Sequence, residues 1–302
     1  MLAIIAPGQG SQTPGMLNSW IEDPELKQLI QSWSEIIDLD LLRLGTTADA
    51  EEIKDTANAQ PLIVATSLLA VHALNMSTCA ITSGHSVGEL AAAAISGAIS
   101  SADALSLVRA RGIEMAKAAS AAPAGMSAVL GGDRNEVLSA IAALNLVAAN
   151  DNGAGQIVAA GDLSALAQLS DNPPASARVR ALAVAGAFHT SYMQPAVEPL
   201  RAKAAIIATH ALQINVISNK DGEVVSDGAE VLTRIVNQIS NPVRWDLCME
   251  RMKSLGVTGV IELPPAGTLV GLLKRAAGEI ETFALKSADD LSAAREFAER
   301  HL

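Results

Sequence analysis

A serine between two glycines, GHSVG at 84–88, follows a short apolar run at 79–81 and opens an alanine-rich helical stretch from Glu89. That is the layout of a nucleophile elbow, in which a strand turns sharply into a helix and both neighbours of the serine must be small enough for strand and helix to approach. The Ser86 hydroxyl then stands exposed at the carboxyl end of a sheet. The competing reading makes Ser86 a helix N-cap that satisfies free amide donors. A second glycine-rich turn, PGQGSQ at 7–12, follows the apolar run LAIIA at 2–6. In open α/β sheets the strand ends gather at one edge, so backbone amides of this first loop can face the elbow and hold an oxyanion.

A serine hydroxyl becomes a useful nucleophile only when a base within hydrogen-bond reach takes its proton. Of the five histidines, His85 adjoins the serine, so its side chain should point away from the hydroxyl and line the pocket wall. His72 lies inside an apolar helix, His210 follows a helix end and His301 is next to the carboxyl terminus. His189, in AGAFHTSYM, sits at a junction where a side chain can enter an interdomain cleft, although a lone histidine at a helix start is also a common structural element. No acidic residue between Ser86 and His189 stands in an obvious way beside a strand-end glycine turn, and a backbone carbonyl is a reasonable substitute for orienting the imidazole.

Composition narrows the partners. The 302 residues are 50% hydrophobic but only 2% aromatic, which gives an Ala, Val, Leu and Ile core and no platform for stacked bases or sugars. With 21 Lys and Arg against 32 Asp and Glu, the net charge of −11 argues against nucleic acid. The two cysteines, Cys79 and Cys248, have no spacing for a disulfide framework or a zinc site, and no metal is expected. The amino terminus lacks a basic leader, and the most apolar later stretch, 63–76, contains His72 and is shorter than a membrane span. A cytoplasmic protein without a membrane partner is the expectation.

The elements that must position these groups read as α/β. Helical spacing covers 24–37, a polar acidic segment lies at 47–55, and a buried helix at 60–75 leads to the elbow strand. Ser101 is expected to cap a helix running to about Ala119. After SAAPAG at 120–125 come strand 126–130, helix 135–144, strands 146–149 and 156–160, helix 163–169 and strand 177–184. That βαββαβ order is ferredoxin-like. The rest returns to α/β, with helices at 195–207, 229–239 and 269–277 and strands at 214–218, 257–263 and 282–285. The expected fold is an α/β-hydrolase-like core, 1–122 and 190–302, carrying an inserted ferredoxin-like subdomain at 123–189.

PGQGSQ, GHSVGE at 84–89, the Arg-Gly pair at Arg111, NDNGAGQIVAAG at 150–161, AFH at 187–189 and NQISNPVRW at 237–245 resemble, in order and spacing, malonyl-CoA:acyl carrier protein transacylases. The resemblance implies that family's architecture and an acyl-serine route for malonyl transfer, with malonyl-CoA and acyl carrier protein as partners, fatty-acid or polyketide synthesis as the setting, a monomer, and no cofactor. By motif, Ser86 resembles the nucleophile, His189 the base and Gln238 the residue whose carbonyl orients it, while the amides of Gln9 and Val87 would hold the oxyanion. Arg111 resembles the arginine that pairs with the malonyl carboxylate, a bidentate task for a planar fork; Arg109 is the competing candidate. Phe188 resembles the ring that restricts an α-methyl group. One departure is Glu262-Leu263-Pro264-Pro265-Ala266-Gly267, where many members have Gly-Pro-Gly. An acidic carrier would need a local cationic patch, for which Lys274 and Arg275, with Lys117 as a lesser candidate, compete with an ordinary solvated helix end. A serine esterase or thioesterase shares the elbow, and a noncatalytic carrier-binding scaffold is a third class.

Overall fold

The structure is a computed structural model that describes residues 1–75 and 79–302. Eleven strands form two sheets among the described residues. In chain order they are β1 (Leu2–Ala6), β2 (Ile81–Gly84), β3 (Ala124–Gly131), β4 (Val147–Asp151), β5 (Gln156–Asp162), β6 (Ala177–Ala181), β7 (Asn215–Ile217), β8 (Val224–Val225), β9 (Val243–Arg244), β10 (Gly259–Glu262) and β11 (Glu281–Ala284). The larger sheet has the order β11-β10-β1-β2-β7-β8 and is parallel apart from the β7–β8 edge pair.

β1 is buried on both faces, as a central parallel strand must be when helices cover both sides. Leu2, Ile4 and Ala6 belong to one apolar cluster and Ala3 and Ile5 to the other, so the period-two alternation survives although every residue is apolar. The first cluster is closed by helices Thr56–Leu74, Gly88–Ile95 and Ser101–Ser120, and the second by helices Trp245–Ser254 and Thr268–Ala276. β2 and β10 flank β1 on opposite sides, so the winding reverses beside β1 and a crevice opens at the carboxyl edge there.

The smaller sheet runs β6-β3-β5-β4 antiparallel, with helices Arg134–Ala143 and Leu163–Asp171 on one face, which is the ferredoxin-like arrangement. A fifth strand, β9, comes from outside 123–189 and pairs in parallel with β4, Asn150 opposite Val243. The two sheets are therefore stitched together beside the crevice.

Several boundaries differ from expectation. The elbow strand lies at Ile81–Gly84 rather than 79–81, and β6 ends at Ala181 rather than 184, after which Leu182 and Val184 turn into the cleft. Ser100, not Ser101, caps helix Ser101–Ser120: its side chain accepts the Asp103 amide. The apolar stretch expected at 63–76 belongs to a helix that starts earlier, at Thr56, behind an Asp55 cap; its last residue, Met76, lies outside the described residues. That helix has 19 residues and is long and apolar enough to cross a membrane, but 72% of its apolar window is buried inside the protein.

Candidate active site

Ser86 sits between β2 and helix Gly88–Ile95 with φ 54°, a left-handed conformation that a non-glycine residue holds only under constraint. The flanking glycines make the turn possible. A Cβ on Gly84 would run into the Gly88 backbone, and one on Gly88 into the Ala6 carbonyl, so β1, β2 and the helix meet only because both positions lack a side chain. The N-cap of the helix is Val87, without a side-chain cap, so the capping role weighed for Ser86 is overturned. Its hydroxyl is occupied elsewhere: Ser86 Oγ lies 2.8 Å from His189 Nε2 and accepts from Arg111 Nη2 at 3.2 Å.

His189 also has positive φ, 62°, and its amide donates to the Ile239 carbonyl. Its Nδ1 is 2.9 Å from the carbonyl of Gln238, the last residue of helix Gly228–Gln238. A carbonyl only accepts, so Nδ1 carries the proton and the Nε2 lone pair faces Ser86. A helix-end carbonyl has no intrahelical partner and sits at the negative end of the dipole, which favours imidazolium as it forms. The Gln238 side chain donates to the carbonyls of Asn241 and Pro242 and so fixes the chain leaving the helix. Burial, helped by the charge of Arg111, pushes His189 down to about 3, against the pull of the Gln238 bond. The imidazole is thus neutral at physiological pH.

Arg111 is 2% exposed on helix Ser101–Ser120. Gly112 explains the Arg-Gly pair: a Cβ there would crowd the Thr56 carbonyl at 2.9 Å, so glycine lets this helix press against the start of Thr56–Leu74. Arg111 Nη1 then donates to Gln60 Oε1 at 2.6 Å. Burial lowers the Arg111 guanidinium to about 10, opposed by the buried Glu89, and it stays charged. Arg109 points elsewhere, donating to the Ala57 carbonyl.

These groups open into a cleft of about 250 Å³ between the sheets. Gln9, Gln60, His85, Phe188 and His189 line it with Ser86, and Met126, Val158 and Leu182 supply the wall from the smaller sheet. No acceptor among the described residues takes the Gln9 or Val87 amide. His85 turns away from the hydroxyl, bonds Asn152 Oδ1 through Nε2 at 2.9 Å and meets Trp245 edge to face.

The acyl transferase domain family matches residues 4–295. A malonyl CoA-acyl carrier protein transacylase from Mycobacterium tuberculosis is 53% identical over 297 residues, covering 96% of this chain and 98% of the relative. The chain belongs to the malonyl-CoA:acyl carrier protein transacylase family. A crystal structure of MCAT from the same organism superposes with a TM-score of 0.95 at 52% identity, over 97% of this chain and 99% of that one. A malonyl-transacylase in complex with a type II PKS acyl-carrier protein gives a TM-score of 0.92 at 28% identity, over 98% of this chain and 99% of that one.

The departure from the family's Gly-Pro-Gly turn leaves the local anchor in place. Both Glu262 carboxylate oxygens accept amides of the following helix, Gly267, Leu269 and Val270, at 2.9–3.0 Å, and the Pro264 carbonyl accepts from Ser67. Thr268, Leu269 and Leu272 of that helix line the cleft, and Lys274 and Arg275 at its far end are exposed. Lys117 is paired with Glu114 at 2.6 Å. Sequence reasoning missed Gln60, Asn152 and Asn219, which hold Arg111, His85 and the Ser86 amide respectively. For Asn219 the available signal was a polar residue just past a predicted strand; for Asn152, its place in a glycine-rich turn; Gln60 had none inside an apolar helix.

Proposed function

We infer that the protein moves a malonyl group from coenzyme A to the phosphopantetheine thiol of an acyl carrier protein through an acyl-serine intermediate. The observation that carries this reading is the buried Arg111 guanidinium 3.2 Å from Ser86 Oγ, beside the serine–imidazole pair. Ester hydrolysis needs the pair alone; a guanidinium there is a counter-ion for a carboxylate on the acyl group. The M. tuberculosis relative and the solved complex with a carrier protein support malonyl-CoA as donor and a carrier as acceptor.

In the proposed route His189 Nε2 takes the Ser86 proton as Oγ attacks the thioester carbonyl, and the amides of Gln9 and Val87 hold the tetrahedral oxyanion. The C–S bond breaks, coenzyme A leaves with the proton from His189, and malonyl-serine remains. The carrier's thiol then enters, gives its proton to His189 and attacks the ester; malonyl leaves on the thiol and the proton returns to Ser86. Gln238 keeps the imidazole in the required tautomer, Arg111 clamps the malonyl carboxylate, and Phe188 and His85 bound the acyl pocket. Every group called on belongs to the protein or the substrates. Residues 123–189 act as an inserted unit forming one wall of the cleft, and the setting assigned is cytoplasmic fatty-acid synthesis, with polyketide synthesis the other consumer of malonyl carrier.

Arg111→Ala tests the reading against thioester hydrolysis. Charge-assisted hydrogen bonds contribute about 1.5–3 kcal/mol each, so loss of a bidentate clamp should lower kcat/KM for malonyl-CoA by about 100-fold or more. Acetyl-CoA, without the carboxylate, should be affected far less. An equal fall for both donors would contradict the assignment.

A further inference from the structure

The β2–β7 ladder ends at the Ser83–Ile217 pairing, just before the chain leaves the sheet at the elbow. Beyond it the side chain of Asn219, 0% exposed, takes the place of a neighbouring strand. Its Nδ2 donates to the Gly84 carbonyl at 2.8 Å and its Oδ1 accepts the Ser86 amide at 2.7 Å, bracketing His85 as a paired strand would. The Asn219 backbone is itself fixed from two sides: its amide donates to Glu89 Oε1 at 2.8 Å, and its carbonyl accepts the Arg244 amide at 2.8 Å. One planar group that offers a donor and an acceptor together is what this gap requires, and at this side-chain length asparagine supplies it.

We propose that Asn219 is the positioning residue of the nucleophile: its carboxamide holds the Ser86 backbone in the left-handed conformation that aims Oγ at His189 Nε2. The inference rests on the acyl-serine reading. It has a second consequence for the oxyanion. Because the Ser86 amide is spent on Asn219, the next amide of the elbow, that of Val87, is the one left to face a developing negative charge. A left-handed non-glycine residue persists only where its surroundings over-determine it, and a misplacement of about 1 Å at a reacting atom costs on the order of 100-fold in rate.

The test compares Asn219→Leu, which fills the space without polar atoms, with Asn219→Asp, whose carboxyl, protonated in this buried gap, keeps both the acceptor for the Ser86 amide and a donor for the Gly84 carbonyl. Two probes are used: malonyl-CoA, and phenylmethylsulfonyl fluoride, which forms an S–O bond to Ser86, expels fluoride and passes the serine proton to His189 without calling on Arg111. In the leucine variant both modification rates should fall together by about 100-fold while KM for malonyl-CoA stays within about two-fold, because the carboxylate clamp is untouched. The aspartate variant should recover to within about ten-fold of wild type. A folded leucine variant reacting at the wild-type rate, a change in KM alone, or an aspartate variant no better than leucine would overturn the proposal; if the leucine variant does not fold, Asn219→Ala replaces it in the same comparison. Wild-type protein that is sulfonylated but forms no malonyl ester would defeat the functional reading, and sulfonylation alone would still decide the role of Asn219.

Discussion

An exposed imidazole titrates near 6.5 and is partly protonated in the cell, which would leave much of a base idle. His189 escapes this because it is buried beside the Arg111 charge, which brings it down to about 3. With a folded-state value below the unfolded one, the lone pair on Nε2 remains available as pH falls through the ordinary histidine range. The expected outcome is a kcat/KM for malonyl-CoA that stays level from pH 8 down to about 5 and declines only below that. An acid limb centred near 6.5 would contradict it. A malonyl carboxylate on Arg111 neutralises part of the charge that depresses His189, so the acid limb of kcat should lie at higher pH than that of kcat/KM. The roles proposed for Ser86, His189 and Arg111 were open to sequence reasoning because each residue type stands in a motif tied to such a role. Asn219 showed only as a polar residue past a predicted strand; its part depends on β7 lying beside β2, a non-local pairing that this local signal does not specify.

The elbow depends on how closely β1, β2 and helix Gly88–Ile95 approach. Gly88→Ala gains at most about 1 kcal/mol of helix propensity but drives a Cβ into the Ala6 carbonyl, and overpacking of this kind typically costs about 1–3 kcal/mol. The collision should win. The expected result is a lower Tm by differential scanning calorimetry together with slower serine acylation, as the turn opens and Oγ moves off Nε2; unchanged Tm and rate would show that strand and helix have room to spare. Element reading succeeded where one face is buried: helix Pro24–Ile37 lies where the spacing at 24–37 predicts it. It slipped at β2, whose sequence ITSG carries polar side chains in a fully buried strand. Thr82 donates to the Ile4 carbonyl and Ser83 to the Ile217 carbonyl, so neighbouring strands absorb the hydroxyls and erase the apolar signal. Two-residue strands such as β8 and β9 are too short for any period to show.

At the scale of the whole molecule the chain carries 32 Asp and Glu against 21 Lys and Arg, and an acidic carrier protein, which the family resemblance implies, would need a local cationic patch to dock. Lys274 and Arg275 stand exposed on the helix whose first turns line the cleft, which ties a cationic spot to the entrance. Reversing both charges should raise KM for holo carrier protein by about ten-fold at low salt, with the effect shrinking as ionic strength rises and malonyl-serine formation from malonyl-CoA unaffected. An unchanged KM would assign docking to another surface. The central claim is the covalent intermediate itself, and intact mass of the protein after brief incubation with malonyl-CoA tests it most directly, with Ser86→Ala as control and holo carrier protein as chase. A single malonyl adduct on wild type, absent from the variant and discharged onto the carrier, is the predicted result. An adduct that persists in Ser86→Ala, or one lost to water as fast as to the carrier, would contradict it.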